Sequence, residues 1–225
     1  MLLNNKNLYE VYGARITQFV EQPLSMTKEV FYPKGRLMPV VLNKVVCAKQ
    51  MYLEFDFTNK EGIQLLLPEL VDEFVLELNY EPEYLYRCQV LNMANNVVMD
   101  DCDSYTVGFD VVVVKEKPMV SVLLDSLSQQ SFMNEGTFES DAVYEICANE
   151  VVEDFVINDI KIKKLSKNER FIIDGERKLV LSNNRNAFDN CVLYEFPKVT
   201  SGVNTITMSN FENVSVQVKY KPVFF

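Results

Sequence analysis

Thirty-two carboxylates, five cysteines and eleven tyrosines are this chain's main stock of reactive side chains, and no histidine accompanies them. Without an imidazole, Ser-His-Asp and Cys-His nucleophile arrangements and the H-E-x-x-H zinc helix are excluded. Two carboxylates alone suffice for glycoside hydrolysis. With 32 acidic residues, however, a pair at suitable separation arises in any fold, so the sequence singles none out. Asp100-Asp101-Cys102-Asp103 begins like a calcium loop but lacks the glycine and the closing glutamate, and reads as a solvated loop. Cys47, Cys88, Cys102, Cys147 and Cys191 lie far apart without a C-x-x-C pair. That pattern argues against a disulfide framework or a zinc site and predicts buried, reduced thiols. The seven glycines are scattered singly, so no phosphate-cradling loop exists. Tryptophan is absent, which weakens a sugar-stacking reading, although tyrosine could substitute. Asn213-Val214-Ser215 fits the glycosylation pattern but reads as part of a strand and as accidental. The expectation is a protein with no catalytic residue, no cofactor and no metal.

The elements that would carry any site are mostly strands. One helix is predicted over Thr58 to Phe74, capped by Asn59, with Ile63, Leu66, Leu67, Leu70, Val71 and Phe74 at helical spacing and a kink at Pro68. "MYLEFDF" alternates Tyr52, Glu54 and Asp56 against Leu53, Phe55 and Phe57, and "VLELNY", "YLYRCQVL" and "YTVGFDVVVV" follow as strands. Lys117-Pro118 and the polar run 126–131, SLSQQS, read as a connection, so two domains are expected, 1–125 and 126–225. In "NEGTFESDAVYEI" a turn at Asn134 and Gly136 enters a strand that points Ala142, Tyr144 and Ile146 one way and Val143 and Glu145 the other. Asp174-Gly175 between apolar runs predicts a tight hairpin with positive φ, and Asn158-Asp159 a weaker one. "VLYEFPKV", "GVNTITM" and "VSVQVKYK" complete a pattern of short strands that suggests a β-sandwich. Its expected apolar faces comprise Val156, Ile160, Ile162, Ile172, Leu179, Leu181, Leu193, Phe196 and Ile206.

The net charge of −10 divides evenly, −6 over residues 1–118 (11 basic, 17 acidic) and −4 over 119–225 (11 basic, 15 acidic). Such a surface repels phosphates, so specific nucleic-acid binding is not expected. The opening MLLNNKNLYE does not read as a secretory signal, and no apolar run is long enough to span a bilayer. Cytosolic synthesis without membrane insertion is the expectation.

Three stretches, "NEGTFESDAVYEI", "FIIDGERKLV" and "LYEFPKVTSGVNTITMSN", together resemble the C-terminal domain of the distal tail proteins of long, non-contractile-tailed bacteriophages and prophages of Gram-positive bacteria. Pro197, Gly202, Asn204 and Ile206 fill the ending of that family's pattern, and the order of N-terminal elements is similar. The resemblance implies a mainly β protein with one short helix: an N-terminal ring-forming α+β tail-hub domain, then a galectin-like β-sandwich, as a rule without lectin activity. It implies a structural virion component at the tail tip, a hexameric ring joining the tail tube to tail-associated, baseplate or fibre proteins and letting DNA pass. The residues marked by the pattern, Asn134, Gly136, Asp174, Gly175, Pro197, Gly202 and Asn204, are then fold-defining turn residues. The alternative is a carbohydrate-binding β-sandwich involved in host-surface adhesion.

Overall fold

The computed structural model describes residues 1–21, 26–31, 34, 38, 40–46, 49–93, 98–99, 104–124 and 128–224. The acidic run at 100–103, Cys47 and Cys102 therefore lie outside the described residues. The chain divides into two compact units, Met1–Lys115 and Glu116–Phe225, against an expected boundary at 125/126.

The first unit is built on one antiparallel sheet. Its strands are β1 (Leu2–Leu3), β2 (Lys6–Asn7), β3 (Ala14–Glu21), β6 (Lys49–Phe57), β7 (Phe74–Glu77), β8 (Leu85–Met93) and β10 (Tyr105–Glu116), in the order β2-β1-β7-β8-β10-β6-β3. A short strand, β9 (Val98–Met99), also pairs with β10. β4 (Met26–Phe31) and β5 (Val40–Val46) form a separate ribbon with a bulge at Glu29/Val30. The expected alternation in β6 holds: Met51, Leu53, Phe55 and Phe57 are buried. The antiparallel register sets Val107 opposite Phe55, Phe109 opposite Leu53 and Val111 opposite Met51, so both strands present apolar rows to one core. Phe109 meets Phe55 edge-on, with ring centroids 6.1 Å apart.

α2 (Lys60–Leu66) starts where Asn59 accepts a hydrogen bond from the Gly62 amide at 2.8 Å. A 3-10 turn, Leu67–Leu70, carries Pro68 in its first positions, where the missing amide hydrogen costs least. Ile63, Leu66 and Leu70 are buried as expected, whereas Val71 is exposed and Phe74, expected in the helix, is a buried residue that opens β7. A further helix, α1 (Leu8–Tyr12), was not announced by periodicity because it is only five residues long. Asn7 caps it, and Gly13 ends it in the left-handed region, φ 60°.

The second unit contains two sheets. One has the order β11 (Val120–Leu124), β22 (Val214–Tyr220), β13 (Ser140–Ala148), β16 (Arg170–Asp174), β17 (Leu179–Ser182), β18 (Arg185–Asn186), with β20 (Lys198–Val199) also pairing β13. The other runs β12 (Gln129–Asn134), β21 (Gly202–Ser209), β14 (Val152–Ile157), β15 (Ile160–Leu165), β19 (Cys191–Val192). Ala142, Tyr144 and Ile146 are buried, as the alternation in "NEGTFESDAVYEI" requires. Register places Ile146 between Phe171 and Val216, and Tyr144 between Ile173 and Val218, which closes one core.

Four expectations need correction. "VLYEFPKV" is not one strand: a 3-10 turn, Phe188–Asn190, leads into β19, and an irregular segment separates it from β20. Gln129 to Ser131, read as connector, belong to β12. Asn213 lies in the turn ahead of β22 rather than in a strand. In β14, β16 and β17 the inward face is the opposite of the expected one. Phe155, Ile157, Phe171, Ile173 and Val180 are buried, while Val156, Ile172 and Leu181 are half-buried and Leu179 is exposed. Runs such as FVI, FII and LVL offer an apolar residue on either face, so only pairing selects the inner one.

Candidate functional site: turn clusters, ion networks and open edges

The seven marked turn residues gather in two clusters around the start of β13. In the first, the backbone of Asn134 pairs with Gly202 at the β12–β21 terminus. The Asn134 side chain is 1% exposed; its Oδ1 accepts from the Gly136 amide at 3.0 Å and its amide nitrogen donates to the Thr200 carbonyl at 3.1 Å. This local ring explains why asparagine opens the turn. Asn204 closes the next loop: its Oδ1 accepts from the Thr200 amide (2.9 Å) and hydroxyl (3.0 Å), and its nitrogen donates to the Thr200 carbonyl (2.8 Å). Gly202 sits at φ 86°, where a side chain is strained.

The second cluster contains Asp174, Gly175 and Pro197. Asp174 pairs with Leu179, so residues 175–178 form the loop, and the Asp174 carboxylate accepts from the Arg177 amide at 2.9 Å. Gly175 does not have the positive φ expected of it; Lys178 does, at 57°. The two-residue hairpin is instead at Asn158-Asp159, between paired Ile157 and Ile160, with Asn158 at φ 49°. Gly175 is required by crowding. Its amide donates to the Ala142 carbonyl at 2.9 Å, and Ala142 in turn donates to the Pro197 carbonyl at 3.0 Å. A Cβ on Gly175 would lie 2.3 Å from the Pro197 oxygen and 2.6 Å from that of Ala142. What these residues do is close loops against the first residues of β13.

Ionisable side chains assemble elsewhere, at places the sequence did not mark. On β13, Glu145 receives Arg170 and Lys219 from the two flanking strands. Burial alone would raise this carboxyl, but the two cationic donors outweigh it and hold it below the ordinary value. In the first unit Lys115 pairs with Glu81 at 2.7 Å and lies 4.0 Å over the Tyr84 ring centre, while the Tyr86 hydroxyl donates to Glu81. The Lys115 and Tyr86 hydrogen bonds lower Glu81; burial, reinforced by Glu81, raises Tyr86. Charges of opposite sign on neighbouring strands were the available signal, but their register was not.

Among the described residues no three His, Cys, Asp or Glu side chains converge as a metal site. Cys88 and Cys191 are buried free thiols; burial raises both, Cys191 to about 11. Cys147 is free but exposed, contrary to the expectation of uniformly buried thiols, because it occupies an outward position of β13. Among the described residues no helix is long and apolar enough to cross a membrane.

Surfaces suited to protein contact are the sheet edges. Among the described residues, and within its sheet, β3 pairs only with β6, β11 only with β22, and β12 only with β21. Each carries an outward apolar residue, Val20, Leu123 and Met133, and Met133 faces exposed Val203 across the ladder. Edges of this kind template pairing with another chain.

No family model matches the sequence, and no curated protein matches it. Solved structures do. The Dit protein of SPP1, described as a paradigm of the hub adsorption apparatus in Gram-positive-infecting phages, is 9% identical and superposes with a TM-score of 0.73 over 98% of this chain and 97% of its own. The phage P2 baseplate in its activated conformation with Ca gives a looser likeness, TM-score 0.49, at 8% identity over 92% of this chain and 90% of that one. Sequence identity this low leaves the fold as the shared property, and along nearly its whole length this chain has the fold of the SPP1 hub protein.

Proposed function

We propose that this chain is a structural hub protein at the tail tip of a phage or prophage of a Gram-positive host. Its first unit assembles as a ring, hexameric by the family resemblance, that joins the tail tube to baseplate or fibre proteins. The second unit is the galectin-like sandwich carried on that ring. The observation that carries this reading is the likeness to the SPP1 hub protein over 98% of the chain. In the first unit the edge strand β3 supplies a surface from which a heterologous, ring-closing interface can be built. The net charge of −10 suits a conduit that DNA passes without adhering. A scaffold of this kind performs no catalysis, and the reading assigns none.

Light scattering and negative-stain electron microscopy of the purified chain, alone and with the tail-tube protein of the same genome, provide the test. Closed rings with a central channel are the expected result. A strictly monomeric protein in both conditions overturns the hub reading.

A further inference from the structure

The second unit carries a cleft of about 610 Å³ beside the turn cluster of Pro197. One wall is the segment between β19 and β20, where Tyr194 is 91% exposed, the most exposed large apolar side chain of the described residues. Among the described residues its ring makes no stacking contact and its hydroxyl no hydrogen bond. The adjoining Phe196 ring is held in place by Phe188, centroids 6.4 Å apart, with the Lys178 ammonium 5.5 Å from the Phe196 ring centre. The opposite wall is the Asn158-Asp159 hairpin turn. Asn158 is fixed there, because its Oδ1 accepts from the Thr207 amide at 2.9 Å and its side chain also hydrogen-bonds the Tyr144 hydroxyl. The carboxylates of Asp159 and Glu195 stand on the two walls.

The geometry points to a saccharide-binding cleft for neutral hexopyranose units. An open tyrosine face takes the C–H face of a pyranose ring, and the Asp159 and Glu195 carboxylates lining the same cleft are acceptors for its hydroxyls. Charge selects against anionic ligands. Among the described residues Lys198, which lines the cleft, is paired with Glu139 at 2.9 Å, and Lys178 beside Phe196 is paired with Asp141 at 3.0 Å, whereas Asp159 and Glu195 remain to repel phosphate or uronate. An apolar partner such as a helix would strand both carboxylates, so the mixed lining favours a polyhydroxylated ligand. This inference is independent of ring assembly, since every residue lies within Glu116–Phe225.

Titration of the full chain with glucose hexamers (α- and β-linked), chitohexaose and polygalacturonate fragments, followed by amide and tyrosine NMR shifts, tests it. Saturable binding of at least one neutral oligomer is expected, with a Kd on the order of 1 mM. Tyr194→Ala should weaken it about tenfold or more, which is about 1.4 kcal/mol. Tyr194→Phe should retain it, and Asp159→Asn should weaken it without changing the fold. No saturable shift with any neutral oligomer, undiminished binding by Tyr194→Ala, or preference for the polyuronate overturns the proposal. Ring formation is scored separately, so loss of sugar binding leaves the hub reading intact.

Discussion

Adding a single methyl group at Gly175 probes a close backbone approach in the second unit. The Cβ of Gly175→Ala would meet the Pro197 oxygen at 2.3 Å and the Ala142 oxygen at 2.6 Å. Both obstacles are backbone carbonyls, so relief requires moving the start of β13 or the segment ahead of β20, and not merely a rotamer change. Overpacking of this kind costs about 1–3 kcal/mol. The displacement also threatens the bond from the Gly175 amide to Ala142, 2.9 Å long, with a net worth of roughly 0.5–1.5 kcal/mol. The expected loss is about 2–4 kcal/mol. Gly202→Ala supplies the contrast, because nothing lies within 4 Å of its added Cβ and only the positive φ, 86°, is strained. That substitution should cost about 1–2 kcal/mol. Urea unfolding of the full-length proteins, followed by far-ultraviolet circular dichroism, gives the midpoints, with unchanged m-values required for the comparison. A Gly175→Ala loss below about 1 kcal/mol, or a larger loss at Gly202, would refute crowding as the reason for the glycine.

Two further outcomes follow from the second unit. A fragment of residues 116–224 should give a dispersed amide spectrum, whereas one beginning at Ser131 should aggregate, because it lacks β11, uncovers the edge of β22 and removes the fully buried Leu124; equal dispersion of the two would show that β11 is dispensable. Glu145 is held below the ordinary glutamate value of 4.5, so its contribution is present above that pH and is lost as pH falls through its lower folded value. Thermal melts below pH 4.5 should therefore show a falling midpoint whose slope is shallower in Glu145→Gln; identical slopes would remove this carboxylate from the acid response.

Whatever could be inferred from one segment at a time was legible in the sequence. The alternation in "MYLEFDF" and in Ala142, Tyr144 and Ile146 reached the core as read, since a strand's period of two is local. The cap at Asn59 and the break near Pro68 were legible for the same reason, because capping and the missing amide act within one turn, whereas the expected continuation to Phe74 was not realised. The lack of histidine fixed at once which chemistries were out of reach. Interactions between segments were not legible. Which face of FVI, FII and LVL points inward depends on the strand lying opposite, as does the union of Glu145 with Arg170 and Lys219. The turn residues were found, but Gly175 for the wrong cause: Asp-Gly signals positive φ locally, while the actual demand comes from carbonyls at positions 142 and 197. The cleft beside Tyr194 has the same origin, since its walls are separated by more than thirty positions in the chain and meet only when the sheet brings the 158–159 turn beside the loop before β20. Periodicity is a property of neighbours along the chain; register, crowding and concavity are properties of neighbours in space.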